Sequence, residues 1–498
     1  MPPVSPGKRL LVANRGEIGL RIVRTCRTLG VRSIAAHSEA DAGAPFVLEA
    51  DESVCIGPPP ARESYLDIAR IVEAGKNLRA DAVHPGYGFL SENAEFAESV
   101  EGAGMAFVGP RPETIRLLGN KVKAREAAEK AGVPVTRGSL QLTDARRAAE
   151  EAARVGYPVL LKAAAGGGGR GMRIVEAEGE MEAAFRSAAA EARASFGRDD
   201  LFLEELVRPA RHVEVQVFGD GEGGIAALGE RECSVQRRHQ KVIEEAPSPA
   251  VDPGLRERLC GSAAALAREA RYRGAGTVEF LLAPDGSFRF LEVNCRLQVE
   301  HPVTEAVTGT DLVAAQIRLT LFGEPLRVPS MEPRGWAVEA RVCAEDPSAG
   351  FSPSVGRILA LEIPHGGSVR FDGGYVAGDE VTPHYDSLLG KLICWGATRE
   401  EAVARAADAL RSLAVLGPRT NVGFLRAVLE HPRFREGRLS TSFLDEEFAA
   451  WTEPGVGEET AVLAAAAHLL LAGNGGGPRG GARAPTPWQS MSGWRAGA

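Results

Sequence analysis

The chain has 498 residues, 44% hydrophobic and 25% charged, enough for two to four domains with substantial cores. A formal charge of −8, with no basic tail or aromatic-basic stripe, excludes a nucleic-acid or acidic-membrane partner, so small anions must be held by local groups. Seven cysteines without paired short spacings indicate reduced thiols; with no apolar signal core at Met1–Arg9 and no run of about 20 apolar residues, the expectation is a soluble cytoplasmic protein, although a processed organelle protein would read the same.

Arg9–Ala13 reads as a buried strand, followed by Asn14-Arg15-Gly16-Glu17 and an amphipathic helix over Ile18–Leu29. A second strand, Val31–Ala36, indicates an open α/β sheet. The G-x-G-x-x-G spacing is missing, so no dinucleotide site is assigned. The loop His84–Asn93 is too rigid and aromatic for a plain connector, although a Gly/Pro turn carrying a buried Tyr87 would also explain it. Gly119–Gly132 reads as a helix with Lys121 near its start. Only eight of the 58 basic residues are lysines, so each surviving lysine is informative, with Lys123 and Lys130 read as surface positions.

A smaller unit follows. Tyr157–Lys162 and Met172–Val175 read as strands joined by the glycine run Gly166–Gly169. A GxxxxGK[ST] loop opens onto a helix, whereas this one joins two strands, making a hairpin whose N–H groups could close over a triphosphate. Leu201–Leu206 is another strand-like run, and Arg211–Val217 alternates cleanly. Glu232–Lys241 packs its cations beside Val235 and Val242 and is expected to lie inside the fold.

Gly276–Leu282 and Phe288–Glu292 flank the turn signal Pro284-Asp285-Gly286. A two-residue turn would set Glu279 diagonal to Glu292; a four-residue loop would set them directly opposite. Either lets two carboxylates converge on one hard cation, and a one-residue bulge would reverse one of them. In Leu291–His301 the residues Glu292, Asn294, Arg296, Gln298 and Glu300 fall on one strand face, with Leu291, Val293, Cys295, Leu297 and Val299 on the other. A straight strand would separate Glu292 from Glu300 by roughly 26 Å, so a bend near Arg296 is expected. Beyond a helix (Asp311–Leu321) come Val338–Pro347, strands with Gly/Pro turns, Tyr385–Lys391 and a helix over Arg399–Leu413. An Ala/Leu helix (Glu459–Leu471) and a low-complexity linker (Gly473–Arg483) end the chain.

Together, Ala13–Ile18, His84–Asn93, Lys162–Met172, Gln236–Lys241 and Glu292–His301 resemble biotin carboxylases of the ATP-grasp superfamily over residues 9 to about 447. The resemblance implies a mixed α/β and α+β architecture: an N-terminal open α/β domain (1–118), an ATP-grasp domain (119–325) with a mobile glycine-flap subdomain (about 133–206), a C-terminal biotin carboxylase domain (334–447) and a tail (448–498). Carried over by position, it makes Lys121 and Lys162 phosphate ligands and puts Gly168 and Gly169 in the flap. Glu204, Glu205, Leu206 and Val207 line the adenine hinge, and His212, Gln236 and His239 contact ribose or phosphate. Glu279, Glu292 and Asn294 hold Mg2+ (or Mn2+). Lys241, Arg296, Gln298 and Val299 bind bicarbonate, Glu300 is the base, Arg341 stabilises the biotin enolate, and Tyr87 lies near the biotin pocket. The implied activity is ATP- and bicarbonate-dependent carboxylation of biotin borne on a separate carrier protein or domain, for an acyl-CoA carboxylase with a carboxyltransferase subunit, in a homodimer or larger complex. Another ATP-grasp ligase, or a non-catalytic nucleotide-binding subunit, is the alternative; intact Glu300, Arg296 and Lys241 argue against the second.

Overall fold

A computed structural model describes residues 7–163, 172–196, 199–326, 328 and 332–454. The run Gly166–Gly169, and with it Gly168 and Gly169, lies outside the described residues, as do the expected tail helix and linker.

The first strands are β1 (Arg9–Val12), β2 (Arg32–Ser38), β3 (Glu52–Gly57), β4 (Ala82–His84) and β5 (Ala106–Phe107), a parallel sheet ordered β3-β2-β1-β4-β5. In central β1, Leu10, Leu11 and Val12 are fully buried, as an apolar run covered on both faces requires. Helix α1 (Gly16–Leu29) starts two residues before the expected Ile18 and ends on Gly30 at φ 70°. A Cβ at Gly19 would meet the Phe46 ring at 3.2 Å, so the glycine that weakens the helix also lets it lie against that ring.

Asn120 caps α2 (Lys121–Lys130) by accepting from the Val122 and Lys123 N–H groups. The small unit comprises α3 (Ala145–Val155), β6 (Val159–Ala163), β7 (Arg173–Val175), α4 (Met181–Phe196) and β8 (Leu201–Glu205). Its antiparallel sheet, ordered β7-β6-β8, packs on a core of its own that includes Leu142, Val159, Leu161, Phe185 and Leu203.

The element that positions the site is an eight-stranded antiparallel sheet. Its strands are β9 (Arg211–Asp220), β10 (Ile225–Arg237), β11 (Gln240–Ala246), β12 (Arg273–Leu282), β13 (Phe288–Asn294), β14 (Trp336–Cys343), β15 (Val369–Gly373) and β16 (Leu388–Gly396), ordered β13-β12-β9-β10-β11-β14-β16-β15. One face is apolar: Val213, Val215, Val217, Val278 and Phe280 join one core, and Ile243, Val338, Ala340 and Leu392 another. The period of two then places His212, Glu214, Gln216 and Glu279 on the opposite face. That face is covered by the segment leading into α5 (His301–Thr308), so its charges are buried and must be paired.

Two expectations need correction. The 232–241 stretch is not wholly interior: it forms the β10–β11 hairpin, whose two-residue turn holds Arg238 and His239 exposed at φ 48° and 64°, leaving only its flanks inside. The β12–β13 connection is neither a two- nor a four-residue loop. Ala283–Ser287 closes it with Ala283 N–H donating to Ser287 O, an odd length that would set Glu279 against Leu291. A bulge between the Glu279/Glu292 and Phe280/Phe290 pairs takes up Leu291 and restores Glu279 opposite Glu292. The bulge therefore aligns the carboxylates instead of reversing one. No helix among the described residues is long and apolar enough to cross a membrane.

Candidate active site

Strand β13 ends at Asn294 and the chain bends at Arg296, as the alternating run requires. Val293, Cys295 and Leu297 stay buried on the packing side, so the polar residues between them meet the sheet's charged face.

Lys241 is the hub. Its Nζ lies 2.6 Å from Glu300 Oε1 and 2.9 Å from Glu279 Oε1, and it also bonds Glu214. Arg231, fully buried, donates Nε to Glu214 (2.6 Å) and its terminal nitrogens to Gln216 (2.7 Å), Thr304 (2.9 Å) and Thr277 (3.0 Å). Arg341 reaches from β14 to Glu244 (Nε, 2.6 Å) and to Glu300 Oε2 (2.9 Å). Glu300, with no exposure, is thus gripped by a lysine on one oxygen and an arginine on the other.

These contacts set the proton inventory. Burial pushes the Glu300 carboxyl up, but Lys241 and Arg341 outweigh it and hold it well below the ordinary carboxylate range. Glu279 is likewise held low, with Lys241 and His212 overcoming burial. Burial and the Glu300 charge push Glu214 up to about 7, and burial pushes Glu244 up as well, while Glu300 stays ionised. Burial alone would lower Lys241, yet its three carboxylates keep it charged. His212 Nε2 lies 2.9 Å from Glu279 Oε2, off the line of a good hydrogen bond.

Arg296 donates Nε to Glu92 (2.9 Å), and its terminal nitrogens go to Gln298 Oε1 (3.0 Å) and Asn294 Oδ1 (3.1 Å). Gln298 Nε2 and Asn294 Nδ2 donate to Glu279 Oε1 at 3.3 and 2.8 Å, the oxygen that Lys241 contacts. Glu279, Glu292 and Asn294 offer the hard oxygen donors that Mg2+ favours, and Lys121 stands 3.2 Å from Glu292, a cation where those donors gather. Glu214 and Glu279 also lie near His212, but Lys241 already bridges them.

The remaining candidates divide. Lys162 is buried on Glu204 at 2.6 Å, both from the small sheet. Glu205 turns the other way, to Arg137 at 2.7 Å, so its side chain does not join them; the Leu206 N–H donates to Pro158 O, and Val207 follows β8. Gln236 is buried opposite Lys241, and His239 is exposed at the hairpin tip. The Val299 carbonyl accepts from Lys391 Nζ (2.8 Å). Tyr87 bonds Glu17, itself paired with Lys391, and so stands one strand from Arg341, whose register partner is Lys391. Sequence reasoning passed over Glu214, Arg231, Glu244 and Glu92. The clean His212-Val213-Glu214 alternation could have revealed Glu214.

The segments match three family models: "Biotin carboxylase, N-terminal domain" over residues 6–115, "Carbamoyl-phosphate synthase L chain, ATP binding domain" over 120–328, and "Biotin carboxylase C-terminal domain" over 339–446. The chain is 48% identical to a biotin carboxylase of Nostoc sp. over 441 residues, covering 88% of this chain and 98% of that one. It is 47% identical to the human mitochondrial propionyl-CoA carboxylase alpha chain, covering 88% of this chain and 61% of that one. Among solved structures, it superposes on the biotin carboxylase domain dimer of Hydrogenobacter thermophilus 2-oxoglutarate carboxylase, in complex with MgADP, ADP and bicarbonate, with a TM-score of 0.87 and 41% identity, covering 91% of this chain and all of that one. A biotin carboxylase from Campylobacter jejuni gives 0.85 and 42%, covering 88% and 99%.

Proposed function

This chain belongs to the biotin carboxylase family, and we propose on that premise that it is an ATP-consuming ligase that carboxylates biotin with bicarbonate. The observation that carries the reading is Glu300, ionised and shielded from water between Lys241 and Arg341.

Bicarbonate is a poor nucleophile. Lys241, Arg296, Gln298 and the Val299 main chain would hold its oxygens, cancelling charge and aiming one oxygen at the γ-phosphoryl group. Glu300 takes the bicarbonate proton as that oxygen bonds to phosphorus and the bond to ADP breaks, giving carboxyphosphate. Carboxyphosphate splits into carbon dioxide and phosphate. Phosphate removes the proton from the biotin ureido nitrogen, Arg341 stabilises the enolate oxygen, and the nitrogen attacks carbon dioxide. Tyr87 borders the biotin pocket in this reading.

Lys121, Lys162, the Gly168–Gly169 flap, the hinge Glu204–Val207, His212, Gln236 and His239 would bind ATP. Glu292 and Glu204 hold the two lysine ammonium groups until phosphate oxygens replace them. Glu279, Glu292 and Asn294 would hold Mg2+ (or Mn2+), which supplies charge neutralisation on the phosphates. The family-model boundaries support the division at 1–118, 119–325 and 334–447, with 448–498 as the tail in this reading. The carboxylated biotin would sit on a carrier protein or domain and pass to a carboxyltransferase, with this chain in a homodimer or larger complex. ADP release is the test: it should require both biotin and bicarbonate, and release that ignores either one would sink the assignment.

A further inference from the structure

Among the described residues, Cys295–Glu300 belongs to no strand, so the segment that carries the proposed bicarbonate groups must be fixed from outside. Glu92 holds its first end, accepting from the Cys295 N–H at 3.0 Å and from Arg296 Nε at 2.9 Å. Its other end is held by a lysine from a distant strand. Lys391 Nζ donates to the Val299 carbonyl at 2.8 Å, and the peptide group joining Val299 to Glu300 is planar, so fixing that carbonyl also fixes the Glu300 N–H and the direction in which Glu300 leaves the chain.

Lys391 has no exposure, and an ammonium placed there is costly unless paired. Glu17, at the start of α1, supplies the counter-charge at 3.0 Å and accepts from the Tyr87 hydroxyl, while Asp372 lies opposite Lys391 on β15. An apolar residue would fill this position in β16 at less cost if packing were its only task, so the buried cation calls for a role in holding the segment.

We infer that Lys391, with Glu17 as its counter-ion, is a positioning residue that sets the Val299–Glu300 peptide for bicarbonate through the main chain without touching substrate. This rests on the bicarbonate reading above.

The test is steady-state ADP release by the full chain and its Lys391→Met and Glu17→Gln variants, with melting temperature recorded for each. Lys391→Met should raise KM for bicarbonate about tenfold or more while KM for ATP stays within about twofold, because only the bicarbonate segment loses its anchor. Glu17→Gln, which keeps its shape and its bond to Tyr87, should show the same selectivity with a smaller rise. Folded Lys391→Met protein with both KM values unchanged, or with both rising together, would overturn the inference. Should Lys391→Met not fold, Glu17→Gln decides by the same split. Wild-type protein that releases ADP without regard to bicarbonate would instead overturn the reaction on which the inference depends.

Discussion

Lys241 touches three carboxylates, and one ammonium cannot neutralise all of them. Arg341, on Glu300 and Glu244, and Arg231, on Glu214, carry part of the balance, and burial pushes the Glu214 and Glu244 carboxyls up. Replacing Glu300 with Gln leaves Lys241 on Glu214 and Glu279 and Arg341 on Glu244, so the fold should persist. Bicarbonate-dependent ADP release should fall by about 100-fold or more, while ATP affinity, measured by calorimetry, changes little; near-normal turnover would remove Glu300 from the role of base. Lys241→Met is the opposite experiment. It strands buried carboxylates and should destabilise the protein by about 3–5 kcal/mol in urea titrations. The loss should be smaller at pH 6 than at pH 8, since the stranded groups can then take up protons.

At the scale of elements, one extra residue decides whether two carboxylates meet. Leu291 occupies the β13 bulge, and the five-residue loop Ala283–Ser287 makes that bulge necessary. Deleting Leu291 should remove the bulge and leave Glu292 opposite Glu279 in a regular ladder, retaining Mg2+-dependent ADP release within a few-fold, whereas exchanging the two residues (Leu291→Glu with Glu292→Leu), which puts the carboxylate in the bulge, should abolish it. Equal activity in the two variants would show that the register does not matter. The same hairpin marks the limit of what could be read in advance. Alternation in Arg211–Val217 and Leu291–Glu300 was legible because the period of two is local, and the bend at Arg296 followed from strand length alone. The bulge was not legible, because it depends on how Ala283 and Ser287 close the loop. Glu292, Asn294 and Arg296 were found as one group; Arg231 was missed because its partners are assigned only by strand register.

Across the whole molecule, the charged sheet face is one buried lattice joining segments remote in sequence. Arg21 of α1 reaches Glu305 of α5, which Arg370 of β15 also holds at 2.8 Å. Such pairings separate residues by tens to hundreds of positions, which is why Lys391 could be noticed in the sequence but its contact with Val299 could not. One carboxylate of the lattice has neither oxygen hydrogen-bonded among the described residues: both Glu339 side-chain oxygens are buried and unbonded. Glu339 lies opposite Glu244 on β11, and burial, reinforced by the Glu244 charge and only partly opposed by Lys391, pushes its carboxyl well above the ordinary range. Folding therefore keeps a proton that the unfolded chain releases once pH exceeds its ordinary value of about 4.5. The stability tied to that proton is fully present below this value and is lost as pH rises toward the folded-state value. Glu339→Gln cannot release it, so the variant should gain on the wild type by about 1.4 kcal/mol per pH unit across that window. Urea midpoints at pH 5, 6, 7 and 8 measure the gap, and one that stays constant or narrows with pH would mean that Glu339 is ionised in the fold.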